Sequence, residues 1–135
     1  MSAKALVKAF YESDLANDTS VLGTFLHPSC TLHWNSSKGY HVFQYKDIQA
    51  LFSDIYKSYD SVRIQISHML EDENFVTTRY TLHVRTIENP DEEQPLAHYM
   101  TIWEVKDGKL FQCHEISQLA NTSEECLKSY SKIKV

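Results

Sequence analysis

A chain of 135 residues with 42% apolar and 23% charged side chains has the balance of one ordinary globular domain, neither fibrous nor disordered. Its formal net charge of −5 argues against a nucleic-acid partner, because phosphate contacts need positive charge. No apolar run is long enough to span a bilayer, and Lys4 and Lys8 interrupt any leader-like core at the start, so a single domain over residues 1–135 in the cytoplasm is expected.

Leu6, Val7, Phe10 and Leu15 recur at helical spacing, with Ser2 placed to cap the helix they define. The cluster Asn17-Asp18-Thr19-Ser20 breaks that helix and can cap a second one, whose stripe is Val21, Leu22, Phe25 and Leu26. Pro28 ends it, since the residue before proline is pushed out of the helical region. Residues 30–35 then alternate Cys30, Leu32 and Trp34 against Thr31, His33 and Asn35, the period of a strand. Residues 36–39 read as a turn. Ile48, Leu51, Phe52, Ile55 and Tyr59 define a third helix, which Asp60 and Ser61 stop.

Beyond residue 61 the period changes to two. Val62, Ile64, Ile66, His68 and Leu70 form one alternating run; Val76, Tyr80, Leu82 and Val84 form another, interrupted by Thr78. The tract NPDEEQP at 89–95, acidic and rich in proline, reads as a solvated hairpin loop. Residues 96–105 and 110–119 flank Lys106-Asp107-Gly108-Lys109, a strong hairpin signal. Thr122 and Glu125 have capping-box spacing, which allows a short last helix.

The last hairpin has two possible registers. A two-residue turn sets Lys106 opposite Lys109, which puts Trp103 opposite Gln112 and Thr101 opposite His114. A bulged turn sets Val105 opposite Lys109, so that Trp103 faces Phe111, Thr101 faces Cys113 and Tyr99 faces Glu115. The aromatic pair Trp103–Phe111 favours the bulged form. One face then carries Tyr99, Thr101, Trp103, Cys113 and Glu115. The reverse carries Met100, Ile102, Leu110 and Ile116 beside His98 and His114, apolar enough to predict a homodimer interface through Met100, Ile102 and Ile116.

The runs FYESDLANDTSVLGTFLHPSCTLHW (10–34), KDIQALFSDIY (46–56) and TIWEVKDGKLFQCHE (101–115), in the order helix, helix, strand, helix, curved sheet, resemble the nuclear transport factor 2-like superfamily. That superfamily includes ketosteroid isomerase and the SnoaL-like polyketide cyclases, and the resemblance spans roughly residues 3–119. It implies an α+β fold: a curved antiparallel sheet forming a cone, with about three N-terminal helices on its concave face (a cystatin-like roll), a pocket between them, and a convex face that dimerises. The isomerase's carboxylate base matches Trp34 and its oxyanion-stabilising acid matches Thr101, neither of which transfers a proton; its tyrosine donor falls near Phe10 and Tyr11. Isomerase chemistry of that type is disfavoured. In SnoaL-like relatives an aspartate follows the last-hairpin glycine; here the run is GKLFQCHE, and Glu115 takes that place.

The candidate catalytic residues are therefore Glu115 as general acid or base, with His68 or Tyr99 polarising an oxygen. Tyr11, Trp34, Tyr80, Thr101, Trp103 and Cys113 are the candidate ligand-binding residues. Each has a duller counterpart: a carboxylate bonded to Tyr99, a satisfied core histidine, aromatics that fill a cone. The seven histidines show neither HxxxH nor HExxH, and the three cysteines, Cys30, Cys113 and Cys126, show no CxxC; no metal, cofactor or disulfide framework is expected. Three functions stay open: binding of a small apolar or aromatic molecule, SnoaL-like acid/base chemistry on a carbonyl-bearing ligand, and a module that only dimerises.

Overall fold

A computed structural model describes residues 2–13 and 20–120. The elements are α1 (Ala3–Glu12), α2 (Ser20–Phe25), β1 (Leu26–Ser36), β2 (Gly39–Gln44), α3 (Tyr45–Ser58), β3 (Tyr59–Asp72), β4 (Phe75–Thr86), β5 (Glu93–Lys106) and β6 (Lys109–Leu119). Leu15, the breaker residues Asn17, Asp18 and Thr19, Cys126 and the capping pair Thr122 and Glu125 lie outside the described residues. Among the described residues no helix is long and apolar enough to cross a membrane.

Local chemistry sets the helix ends. Ser2 accepts a hydrogen bond from the Ala5 N–H at 3.1 Å, capping α1 as its position predicts. At α3 the Asp47 carboxylate accepts the Gln44 N–H at 3.0 Å, half of a capping box. Leu6, Val7 and Phe10 on α1, Leu22 on α2 and Ile48 on α3 are buried against the sheet. Phe10 is the hub: its ring meets those of Phe25, Phe52 and Trp103 at centroid distances of 5.8, 6.2 and 5.7 Å, joining all three helices to β5.

The six strands form one curved sheet in the order β2-β1-β6-β5-β4-β3. Neighbours run antiparallel except β1 and β6, which run parallel. The first strand begins earlier than its periodicity suggests, at Leu26, and carries Pro28 where the β1–β6 ladder is interrupted, between Leu26 and Thr31; a missing N–H costs nothing there. β2 is absent from the sequence reading. It is an edge strand with almost no buried side chain, so it has no inward–outward alternation to detect.

The last hairpin combines features of both expected registers. Asp107 and Gly108 both have positive φ, 55° and 72°, and Lys106 pairs with Lys109, as a two-residue primed turn requires. The ladder then shifts. Val105 pairs with Leu110 but Glu104 pairs with Gln112, leaving Phe111 as an extra residue. Trp103 therefore faces Cys113, Thr101 faces Glu115 and Tyr99 faces Ser117. The expected Trp103–Phe111 pair does not form; Phe111 packs its ring on His27 at 5.1 Å and under the Lys106 ammonium at 4.7 Å. The bulge also returns Leu110 to the core, fully buried, rather than to the reverse face. Because the net displacement from the expected register is two residues, Tyr99, Thr101, Trp103, Cys113 and Glu115 still share the inward face.

A second bulge lies in β3. Ile66 pairs with Tyr80 and His68 with Arg79, so Ser67 is the extra residue. Sequence alternation puts His68 in line with Ile64 and Ile66. The bulge reverses that phase: Met69 takes the inward place, 2% exposed, and His68 moves to the outer face beside Arg79.

Candidate functional site

Between α1, α3 and the concave sheet face lies a two-part cavity. The inner chamber, about 70 Å³, is walled by Phe10, Tyr11, Trp34, Tyr80, Tyr99 and Trp103 from α1 and the sheet, and by Leu51, Phe52, Ile55 and Tyr56 from α3. Among the described residues, Glu115 supplies its only charged side chain. The outer chamber, about 250 Å³, shares Trp34, Leu51, Ile55, Leu82 and Tyr99 with the inner one and opens between the β1–β2 turn and the end of β6. A wider groove of about 1050 Å³ lies apart from it, between α2, β1 and the start of α3. That groove is open, and its Lys109 ammonium is already bonded to the Gly23 and Thr24 carbonyls. The cone cavity is the better candidate because convergent polar groups meet in an apolar enclosure there.

Glu115 is the centre of that convergence. It stands beside Trp34 across the β1–β6 pair and beside Thr101 across the β5–β6 pair. The Tyr80 hydroxyl donates to its Oε1 at 3.2 Å. Burial among aromatic rings disfavours the charged carboxylate and lifts its pKa to about 7; the Tyr80 hydrogen bond offsets part of that rise. A carboxyl so poised exchanges its proton near neutral pH.

A network of donors surrounds it. The Tyr80 and Tyr99 rings stack at 4.8 Å with 12° between planes, and the Tyr11 ring lies 5.1 Å from Tyr80. Trp103 Nε1 donates to the Tyr11 hydroxyl at 2.8 Å, and Trp34 Nε1 donates to Ser117 Oγ at 2.8 Å. Burial, reinforced by the nearby Glu115, raises the pKa of all three tyrosines, so each remains a neutral hydroxyl donor.

The expected residues divide accordingly. Glu115, Tyr99, Tyr11, Trp34, Tyr80 and Trp103 line the cavity. Thr101 and Cys113 do not reach it. Thr101 is 1% exposed and hydrogen-bonded to Thr78 Oγ1; Cys113 is fully buried in the core, where desolvation pushes its thiol pKa well up. They form the packed floor under the site, because Glu115 and Trp103 beside them are longer and fill the surface layer. His68 is excluded by the β3 bulge and bonds Ser67 Oγ at 3.0 Å through Nδ1. Sequence reasoning does not identify Ser117 or the α3 residues as parts of the site. The α3 stripe is visible in its spacing, but nothing in it distinguishes a cavity wall from solid core. Among the described residues no group of three or more side chains is arranged to hold a metal ion.

Comparison with known proteins agrees with this architecture. The chain matches the SnoaL-like domain over residues 7–113. No curated protein matches it in sequence. Among solved structures, the candidate polyketide cyclase IdmH from Streptomyces antibioticus is similar, with a TM-score of 0.70 at 13% identity, covering 87% of this chain and 92% of that one. A candidate SnoaL-like polyketide cyclase from Jannaschia sp. CCS1 has a TM-score of 0.67 at 9% identity, covering 96% and 91%. TerC, co-crystallised with polyporic acid, has a TM-score of 0.66 at 16% identity, covering 85% and 91%. At such identities the likeness to these structures is one of fold. The family match extends from α1 through the middle of β6 and stops two residues before Glu115, so it spans most of the cone; the chain belongs to the family of SnoaL-like domains.

Proposed function

We propose that the protein binds a small, largely apolar or aromatic molecule in the cone cavity. The observation that carries this reading is the enclosure of one carboxyl, Glu115, by the rings of Trp34, Tyr80, Tyr99 and Trp103. Such walls offer flat apolar area, and a single polar group fixes orientation. TerC, which shares the fold, was co-crystallised with polyporic acid. The test is a titration of planar aromatic compounds followed by tryptophan fluorescence, since both Trp34 and Trp103 face the chamber. Quenching that saturates, and that disappears in Leu51→Phe where the added ring fills the junction of the chambers, supports the reading. Identical quenching in Leu51→Phe rejects it.

A second reading is favoured by the enclosure of Glu115 against the Tyr80 hydroxyl in an apolar chamber, an environment that raises its pKa. In that reading the bound molecule carries a carbonyl, Glu115 takes or gives a proton, and Tyr99 or the Tyr80 hydroxyl polarises the oxygen. Its test is turnover with a pH dependence that Glu115→Gln abolishes.

We also propose that the reverse face pairs two copies. Met100, Ile102 and Ile116 are 51%, 47% and 65% exposed there, on adjacent strands.

A further inference from the structure

The outer chamber has at its rim a charged residue that the binding reading leaves unused. Its rim is the β1–β2 turn, where Ser36 pairs with Gly39 and the two tip residues are Ser37 and Lys38. The turn is fixed: the Lys38 N–H donates to Ser36 Oγ at 3.2 Å, and Gly39 has the positive φ of 106° that closes it. Among the described residues, Lys38 is the only charged side chain lining this chamber and has no ion-pair partner. A lone lysine at the mouth of an apolar cavity, on a chain of net charge −5, is a local positive site on a negative background.

We propose that Lys38 recognises an anionic group, so that the ligand of this cavity is a planar aromatic acid. The proposal rests on the reading that the cavity binds a small molecule, and it specifies which kind. The two chambers have opposite polar ends. At the inner end Glu115 meets a hydroxyl or carbonyl; at the outer end Lys38 meets a carboxylate or similar anion; between them stand Trp34, Leu51, Ile55 and Tyr99. A ligand charged at its inner end would set anion against Glu115, so the charge belongs outside. The outer volume of about 250 Å³ suits a one- or two-ring molecule.

The experiment uses 6-hydroxy-2-naphthoic acid and its methyl ester, which differ by the charge and one methyl group, titrated calorimetrically into the whole chain and into Lys38→Met and Lys38→Arg. The acid is expected to bind about two- to fivefold more tightly than the ester, the size of one exposed ion pair. Salt should shrink that ratio, Lys38→Met should bring it to one, and Lys38→Arg should keep it. Equal binding of acid and ester by the unaltered chain, or an acid preference that survives Lys38→Met, overturns the role of Lys38 while leaving the cavity reading intact. Binding of neither compound overturns both.

Discussion

The Tyr80 hydroxyl donates a 3.2 Å hydrogen bond to Glu115, so the carboxyl that lines the inner chamber is held by a neutral phenol instead of a cation. A cation would keep the carboxylate charged at every ordinary pH; a phenol in an apolar enclosure leaves it on the edge of protonation. Removing that donor with Tyr80→Phe should move the Glu115 titration still higher, because the bond favours the charged form. Carboxyl carbon shifts followed by NMR against pH would show it; an unchanged or lowered midpoint would contradict the arrangement.

Glu115 should also make stability depend on pH. Its pKa is raised on folding, to about 7, so the folded state favours the protonated carboxyl. The resulting loss of stability is absent below the unfolded-state value near 4.3 and grows until pH passes about 7. Glu115→Gln keeps the shape and removes the charge. It should therefore stabilise the protein by about 1–3 kcal/mol at pH 8 and change little at pH 4. Urea denaturation at the two pH values tests this, and an equal effect at both would count against a buried, titrating carboxyl.

Phe10 is 1% exposed and touches rings from α2, α3 and β5. Truncation to alanine leaves a cavity at the point where all three helices meet the sheet, and should cost about 3–5 kcal/mol. Phe10→Leu should cost about half as much. Equilibrium unfolding of both variants measures the difference; a loss under about 1 kcal/mol for the alanine variant would show that the helices are held elsewhere.

Ile102→Asp and Ile116→Asp place a carboxylate in the middle of the outer apolar face, where the side chains are 47% and 65% exposed. If that face joins two copies, each variant should sediment as a monomer while keeping its fold, since burying an unpaired charge at an interface is strongly unfavourable. Dimers from both variants would move the interface to another surface.

The inward face of the last hairpin is legible in sequence because its parity survives an even displacement. Tyr99, Trp103 and Glu115 fall on the right side even though each pairs two positions away from the expected partner. His68 is misplaced for the opposite reason: the extra residue at Ser67 is an odd displacement, and no glycine or proline marks it. Thr101 and Cys113 face inward as their alternation predicts, but depth within a layer depends on the length of the neighbouring side chains. Lys38 sits in a stretch that reads as an ordinary turn. Only the fold brings that turn to the mouth of a chamber whose other walls come from Trp34 and residues 51–119.

The parallel pairing of β1 with β6 ties the first strand of the chain to the last of the described ones. A nascent chain cannot complete its sheet until residues 109–119 have cleared the ribosome, and the helices made first must wait, with Phe10 and Leu22 unsheltered, for most of synthesis. Glu115 arrives on that final strand. Any product cut short before it lacks both the strand that joins β1 to β5 and the carboxyl.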